Sequence, residues 1–325
     1  MKYRAGIDLG GTKLAVGLFD TEGKLLGECV SRDHRGLSEE AVLDCVERNL
    51  ESILSSIGIP GLRPANLLGA GVLFPGHIRF SDGLTLTSSN LPGFKNFPLR
   101  ARLEQRLRCP VIADNDANGQ TLGEHRYGAG RGVDHMVFMT VSTGVGGGII
   151  INGQLYRGMT GTAGEFGHMI VDATGAQLCT CGNRGCLMGA ASGITLPNLT
   201  RRVAEKLHVK GHPAQLPSSC EDFDDMDGEV LGSGCEDNEL CQEVVKEFSH
   251  YIGIGLYNIF QMLNPRLIVL GGGLLNLPEI FFSGAKDTCY DLAGQMMLEP
   301  MAIKKGELGQ RSGIYGAAAL IEVEA

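Results

Sequence analysis

One histidine and three cysteines with the spacing of metal ligands lie in the middle of the sequence. His168 ends Glu165-Phe-Gly-His168, and Cys179, Cys181 and Cys186 follow shortly after it. Imidazole nitrogen and thiolate sulfur are the ligands of closed, tetrahedral zinc sites, which have a structural role. Because the chain has 10 cysteines, a group of buried free thiols is the alternative. The Cys-x-Cys pair, the glycine-rich turn and the third cysteine favour zinc.

A second candidate site is an acidic cluster at the end of a short apolar strand. Residues 111–113 have a strand pattern, Asp114-Asn115-Asp116 follows, and residues 120–126 have a helical pattern. Asp or Asn before a helix can cap it, but capping needs only one such residue. At the carboxyl end of a strand, a carboxylate can also take the proton from an attacking hydroxyl. We interpret Asp116 as a candidate general base.

Two glycine turns, each between two strands, could hold phosphate groups. The first is Asp8-Leu-Gly-Gly-Thr-Lys13, and the second is Ser142-Thr-Gly-Val-Gly-Gly-Gly148. Glycine lets backbone N–H groups approach a phosphate, and Asp8 could hold Mg²⁺. One such turn is equally explained as an ordinary hairpin, but its repetition favours a duplicated fold that grips a polyphosphate from both sides. A strand ending at residues 271–273 offers glycines against which a flat base could lie.

Composition limits the possible partners. The length of 325 residues indicates two domains or lobes, and 43 % hydrophobic residues suffice for a core. A net charge of −9, with no cluster of Lys and Arg, argues against a nucleic-acid partner. No apolar run is long enough to cross a membrane, and charges replace the apolar core of a signal peptide. We therefore expect a cytoplasmic protein with reduced thiols and no nucleic-acid or membrane partner.

The motifs occur together in one order, namely Asp8-x-Gly-Gly-Thr-Lys13, Asn115-Asp116-Ala-Asn118, Ser142-Thr-Gly-Val-Gly-Gly147, Glu165-x-Gly-His168 and Cys179-x-Cys181-Gly-x-x-Gly-Cys186. This combination, which spans nearly the whole chain, resembles the ROK family of sugar kinases and repressors. The resemblance implies an α/β protein of the actin-like ATPase (ribonuclease H-like) fold, with two lobes, a central cleft and the structural zinc site. It also implies ATP-dependent phosphorylation of a hexose, with ATP, Mg²⁺ and Zn²⁺ as cofactors, and a homo-oligomer, either dimer or tetramer.

The resemblance assigns roles to individual residues. It makes Asp116 the base that deprotonates a sugar hydroxyl, and His168 both a zinc ligand and a sugar ligand. The other zinc ligands that it implies are Cys179, Cys181 and Cys186. The other sugar-binding residues are Asn115 and Glu165, with weaker motif support for Gly76 and Asn90. The nucleotide-binding residues are Asp8, Gly10, Gly11, Thr12, Lys13, Thr143, Gly144, Gly271, Gly272 and Gly273.

One departure from the family pattern concerns the substrate. Similar proteins with this zinc motif continue Cys-x-Glu, and that glutamate contacts the sugar, whereas this chain has Cys186-Leu-Met188. We expect glucose, phosphorylated at its 6-hydroxyl, with N-acetylhexosamine, mannose or fructose as alternatives. Because Met188 lacks a carboxylate, a sugar-binding protein with weak kinase activity is also open. A sugar-responsive repressor is less expected, since the first phosphate strand begins within the first few residues and leaves no room for a helix-turn-helix domain.

The expected organisation is a small lobe and a large lobe. The small lobe would comprise residues 1–117, with the first phosphate turn, joined by a small-residue C-terminal helix at about 310–325. The large lobe would comprise residues 118–309, with the second phosphate turn, the zinc site and the glycines at 271–273. Apolar residues at helical spacing predict helices over 38–57 and 239–263.

Overall fold

The computed structural model describes residues 2–58, 66–212, 214–234, 237–273, 278–297, 299 and 301–324. Strands and helices are mixed along these residues, which confirms the α/β class. The strands are β1 (Tyr3–Leu9), β2 (Leu14–Phe19), β3 (Leu25–Ser31), β4 (Leu67–Phe74), β5 (His77–Arg79), β6 (Leu84–Thr87), β7 (Val111–Asn115), β8 (Met136–Val141), β9 (Val145–Ile151), β10 (Gln154–Tyr156), β11 (Leu267–Gly271) and β12 (Ala302–Lys305). The helices are α1 (Glu39–Ser56), α2 (Leu99–Leu107), α3 (Asp116–Tyr127), α4 (Leu187–Ala190), α5 (Leu196–Val209), α6 (Gly228–Gly234), α7 (Glu239–Leu263), α8 (Glu279–Ala293) and α9 (Ser312–Glu324).

The first sheet has the strand order β3-β2-β1-β4-β7. Strands β1, β2 and β3 form an antiparallel meander, while β4 is parallel to β1 and β7 is parallel to β4. The strand β2 is buried along its whole length, and β4 nearly so, as expected for strands covered on both faces. The three parallel strands therefore end at one edge of the sheet.

The second sheet has the order β10-β9-β8-β11-β12, with β11 parallel to both β8 and β12 and β10 antiparallel to β9. Its order repeats that of the first sheet, since each contains two hairpin strands, then the strand before the glycine turn, then two later strands. This repetition agrees with the duplicated arrangement that the two glycine turns predicted.

The chain forms two compact units. The first consists of Met1–Asp134, Gly148–Gly164 and Gly306–Ala325, and the second of His135–Gly147 and Glu165–Lys305. This division differs from the expected lobes of 1–117 and 118–309, because α3 packs closely on α9 within the first unit. An added Cβ at Gly123 of α3 would lie 2.6 Å from the carbonyl oxygen of Ser312, so glycine is needed there. The functional lobe boundary stays a prediction.

The periodicity of the sequence located the two longest helices well. Helix α1 buries its apolar stripe against the first sheet, and α7 matches the predicted range of 239–263. The glycines of α7 allow close packing, as predicted, since a Cβ at Gly253 would lie 2.7 Å from the carbonyl oxygen of Ala285 in α8. Helix α9 ends at Glu324, and Ala325 lies outside the described residues. No helix in the described ranges is both long and apolar enough to cross a membrane.

Candidate active site and metal centre

The parallel strands of the first sheet bring two acidic motifs to the same edge. Asp8 of β1 and Asp114 of β7 are both in register with Leu73 of the intervening strand β4. Asn115 ends β7, and Gly76 follows the end of β4 closely. In sheets of this kind, ligands bind outside the carboxyl ends of the strands. The first unit therefore holds the first phosphate turn and the candidate base at one edge.

Asn115 caps helix α3. Its Oδ1 accepts hydrogen bonds from the backbone N–H of Ala117 at 2.9 Å and of Asn118 at 3.3 Å. Its Nδ2 donates to the carbonyl oxygen of Gly76 at 3.1 Å. Asn115 is therefore the residue of this acidic cluster that caps the helix, which was the alternative explanation of the cluster. Asp116 is the first residue of the helix and is half-buried. The catalytic role of Asp116 and the sugar-binding role of Asn115 stay predictions.

The first phosphate turn is tight and lies against Asn90. The backbone N–H of Gly10 donates to the carbonyl oxygen of Lys13 at 3.0 Å. A Cβ at Gly11 would lie 2.6 Å from Cβ of Asn90, so a larger residue would disturb the turn. Burial raises the pKa of Asp8, while the charge of Lys13 acts in the opposite direction. A nearby cation therefore favours the charged form of this buried carboxylate, and a Mg²⁺ ion bound to it would have the same effect.

Gly76 has a backbone conformation that only glycine adopts readily. Its φ is +155°, and a Cβ would lie 3.0 Å from Cα of Ser88. Ser88 Oγ in turn accepts the backbone N–H of the exposed residue Asn90 at 3.2 Å. Gly76 and Asn90 therefore both lie next to Ser88, and their role at the sugar stays a prediction.

A buried ion pair that sequence reasoning missed holds the end of β7. Asp114 is 2 % exposed and accepts the Nε–H of Arg157 at 2.8 Å, the Nδ2–H of Asn118 at 3.0 Å and the backbone N–H of Asn115 at 2.7 Å. The guanidinium of Arg157 stacks on the ring of Phe80, 3.7 Å from its centroid. Arg157 therefore ties the segment after β10 to the start of α3.

We expect Arg157→Ala to destabilise the fold by about 3–5 kcal/mol, because removal of one partner leaves a buried carboxylate uncompensated. Arg157→Lys should restore only part of this loss, since lysine lacks the planar group that stacks and donates through Nε. Urea unfolding followed by circular dichroism measures both. Arg79→Ala is the matched control, because the Arg79–Asp82 pair is about half exposed and should matter little. Equal effects at Arg157 and Arg79 would contradict the role of the buried pair.

The second unit places the second phosphate turn beside the glycines at 271–273. The turn lies between β8 and β9, and its Ser142 N–H donates to the carbonyl oxygen of Gly144 at 2.9 Å. Strand β11 pairs with β8 so that Gly271 lies opposite Thr140, near the end of β8. Gly272 has a φ of +99°, and a Cβ there would collide with the carbonyl of Val141. The predicted phosphate and adenosine residues of this unit are thus neighbours.

Met188 contacts the second phosphate turn. It is a half-buried residue of the short helix α4, and a Cβ at Gly144 would lie 3.2 Å from its sulfur. After α4, the N–H groups of Gly193 and Ile194 donate to the carbonyl oxygens of Ser142 and Thr143 at 2.8 and 3.1 Å. A change at Met188 can therefore affect this turn directly. The expectation that Met188 lines the sugar site stays a prediction.

Glu165 and His168 lie together in the second unit. Glu165 precedes a single turn of 3₁₀ helix, Phe166–His168. The backbone N–H of His168 donates to the carbonyl oxygen of Glu165 at 3.0 Å. The side chain of Glu165 is exposed, whereas Phe166 is buried. Gly167 packs tightly on the carbonyl of Val145, the first residue of β9. The segment that carries the predicted sugar ligands is therefore fixed by backbone contacts.

The four predicted zinc ligands lie at distances from one another that fit tetrahedral coordination of one metal ion. The ligand atoms of all four residues lie within 4.8 Å of one another. Cys181 Sγ lies 3.8 Å from Cys186 Sγ, and Cys179 Sγ lies 3.7 Å from His168 Nδ1. Sulfur ligands about 2.3 Å from zinc in a tetrahedron would be about 3.8 Å apart. The cluster is thus compatible with zinc.

The two ends of this cysteine loop differ in their electrostatics. Burial raises the pKa of the Cys186 thiol to about 12, while the backbone N–H of Asn183 lowers the pKa of Cys181, whose side chain is exposed. A divalent cation stabilises thiolates that would otherwise stay protonated. The residues present therefore suit Zn²⁺ in chemistry as well as in spacing.

The predicted site residues fall into two groups. The structure brings together, within the first unit, Asp8, Gly10, Gly11, Thr12, Lys13, Gly76, Asn90, Asn115 and Asp116. Within the second unit lie Thr143, Gly144, Glu165, His168, Cys179, Cys181, Cys186, Gly271, Gly272 and Gly273. That both groups act on one substrate stays a prediction.

Comparison with known proteins settles the family. A sequence profile of the ROK family matches residues 4–324. The chain belongs to the ROK family. The resemblance to this family, which the sequence motifs indicated, is thereby confirmed.

Its ROK relatives include both kinases and repressors. A glucokinase of Thermotoga maritima is 32 % identical over 322 residues, which cover 98 % of this chain and 96 % of the relative. A xylose repressor of Caldicellulosiruptor bescii is 27 % identical, over 97 % of this chain and 77 % of the repressor. Among solved structures, a ROK family glucokinase from Streptomyces griseus in complex with glucose and AMPPNP is 28 % identical, with a TM-score of 0.79 over 98 % of both chains.

Proposed function

We propose that this chain is an ATP-dependent hexose kinase, with glucose as its leading substrate and the 6-hydroxyl as the acceptor. The observation that carries the proposal is the position of Asp116 at the carboxyl edge of the first sheet, the edge that also holds the first phosphate turn. The similarity to the Streptomyces griseus glucokinase supports it, since that enzyme was crystallised with glucose and AMPPNP. The proposal includes an actin-like arrangement of two lobes around a cleft.

In the proposed reaction, Asp116 takes the proton of the sugar hydroxyl as this oxygen attacks the γ-phosphate of ATP. Asn115 orients a neighbouring hydroxyl as a donor, because its Oδ1 caps α3 and only its second Nδ2 hydrogen remains beyond the bond to Gly76. Glu165 and His168 hold further hydroxyls. Positioning of the two reactants supplies much of the rate.

The nucleotide would be held by the two glycine turns. Backbone N–H groups at residues 10–12 and 143–144 bind its phosphates, and the glycines at 271–273 accommodate its adenosine. Mg²⁺, when bound, neutralises phosphate charge, and Asp8 would hold it directly or through water. Zn²⁺ would fix the imidazole of His168 through Nδ1, so that the other ring nitrogen can face the sugar.

A substrate panel tests the proposal. Purified protein with Mg-ATP is assayed for ADP formation with glucose, mannose, fructose, N-acetylglucosamine and N-acetylmannosamine. We expect glucose to give the highest kcat/KM and ATP hydrolysis without sugar to be negligible. Preference for another hexose would correct the substrate, and no phosphorylation of any sugar would refute the kinase. A cytoplasmic location and a dimer or tetramer stay predictions, which cell fractionation and gel filtration can test.

A second candidate function is a sugar-binding protein with weak kinase activity. Met188 favours it, because a sugar hydroxyl that meets a thioether in place of a carboxylate loses a charge-assisted hydrogen bond. Measurable sugar binding in calorimetry, combined with turnover far below that expected of a metabolic enzyme, would support this function over the first.

We expect Met188→Glu to raise kcat/KM for glucose by about ten- to a hundredfold, the scale of one charge-assisted hydrogen bond. Met188→Gln is the matched control, because it has similar length without the charge and should recover less. Steady-state kinetics with glucose and with ATP separates an effect on the sugar from an effect on the turn at Gly144. Efficient phosphorylation of glucose by the wild type, unchanged in both variants, would show that another residue makes the contact.

A further inference from the structure

A buried histidine outside the predicted site touches the first phosphate turn. His34 lies in the turn between β3 and α1, and only 1 % of its surface is exposed. Its ring Nε2 lies 2.8 Å from the carbonyl oxygen of Gly10. The loop after β3 is thus hydrogen-bonded to the first glycine of the turn that would hold the nucleotide.

The contact determines the tautomer of the ring. A carbonyl oxygen only accepts, so Nε2 must carry the proton and Nδ1 of the neutral ring is an acceptor. Nδ1 is buried and has no hydrogen-bond partner among the described residues. A buried acceptor without a hydrogen-bond partner costs free energy, and an apolar side chain would fill the same space without that cost. Packing alone therefore does not explain a histidine at this position.

The bond fixes the orientation of one peptide group. The carbonyl of Gly10 and the N–H of Gly11 belong to the same planar trans peptide and point in opposite directions. Because neither flanking residue has a Cβ, this peptide could otherwise rotate between several orientations. With the carbonyl held on His34, the N–H of Gly11 points away from the buried ring. Backbone N–H groups in such a turn bind anions only when they are aimed at them.

We propose that His34 is a positioning residue for ATP, which locks the Gly10–Gly11 peptide so that the N–H of Gly11 is presented to a phosphate of the nucleotide. The inference rests on the proposed function, because it assumes that this turn binds ATP. It predicts a defect in nucleotide affinity and little change in sugar affinity. A residue that merely stabilised the fold would affect both or neither.

The test compares His34→Leu, which keeps the bulk and removes the donor, with His34→Gln, whose Nε2 can still donate to the Gly10 carbonyl. We expect His34→Leu to raise KM for ATP and Kd for Mg-AMPPNP about tenfold, the scale of one net hydrogen bond, with KM for glucose within about twofold of the wild type. His34→Gln should restore most of the nucleotide affinity. If His34→Leu does not fold, His34→Asn, too short to reach the carbonyl, replaces it.

His125→Leu is the matched control. His125 is also buried, its Nε2 lies 3.0 Å from the carbonyl oxygen of Val133, and its Nδ1 lacks a partner among the described residues. It should lose stability without a selective loss of nucleotide affinity. Unchanged Mg-AMPPNP binding in His34→Leu, or equal losses of binding in His34→Leu and His125→Leu, would overturn the role of His34 but not the proposed kinase. A wild type that binds neither Mg-AMPPNP nor Mg-ATP would overturn this inference together with the kinase itself.

Discussion

Asp116→Asn should lower kcat at least about a thousandfold while the fold and the sugar affinity stay nearly intact. The amide has almost the same shape but cannot take a proton, and general-base catalysis contributes about 10²–10⁴ in rate, to which lost orientation adds. The helix should still begin at the same residue, because the cap is made by Asn115, and the oxygen of the new amide can keep the contact to the N–H of Ala117. Single-turnover phosphorylation and calorimetric sugar binding measure the two effects.

The matched control for this variant is Asp20→Asn. Asp20 also accepts backbone N–H groups through its carboxylate, from Glu22 and Lys24 at 2.9 Å. It follows β2 at the opposite edge of the same sheet, since Phe19 is in register with Arg4 at the beginning of β1. We expect its kcat within about twofold of the wild type, because the removed charge is remote from the chemistry. A kcat of Asp116→Asn within tenfold of the wild type would remove Asp116 from the base role.

Cys181→Ala should remove the metal and lower Tm by at least about 5 °C. A closed Cys₃His site contributes binding free energy directly to folding, so its loss should cost several kcal/mol. Each kcal/mol of lost stability lowers the Tm of a domain of this size by about 2–4 °C. Metal analysis should find about one zinc per chain in the wild type and little in the variant. Differential scanning calorimetry measures the change in Tm.

Cys220→Ala is the control for loss of a thiol. Cys220 is half-buried in the second unit, where its sulfur contacts the sulfur of Met226 at 3.7 Å, and it does not belong to the four-residue cluster. Its removal should leave the zinc content unchanged. Wild-type protein that is free of metal, fully active and as stable as a zinc-loaded sample would contradict the structural zinc site.

Local patterns in the sequence were sufficient for much of the fold. Helices α1 and α7 have a continuous apolar stripe, so their ranges could be read from periodicity. Helix α3 was harder, since the expected range of 120–126 is extended in the structure to Asp116–Tyr127. Its glycines interrupt the apolar pattern because they pack against Leu73 and the backbone of α9. Such contacts with distant parts of the chain leave no periodic signal.

The candidate site shows the same distinction. The ligands of the metal cluster are close in sequence, so their spacing already indicated which atoms would meet. Arg157 and Asp114 are 43 residues apart, and His34 and Gly10 are 24 residues apart. Neither pair belongs to a motif, and each forms only when the sheet is assembled. Local motifs in the sequence therefore indicate the groups proposed for chemistry, whereas the residues that hold those groups in place become evident only in the structure.

The most direct test of the proposed kinase is whether the protein transfers a phosphoryl group from ATP to glucose. Protein, Mg-ATP and glucose are incubated together, and the products are followed by ³¹P nuclear magnetic resonance. We expect ADP and glucose 6-phosphate to form in equal amounts, with no inorganic phosphate released when glucose is omitted. Binding of glucose and nucleotide without any sugar phosphate, from glucose or from the other hexoses and N-acetylhexosamines of the panel, would contradict the kinase and favour a binding function.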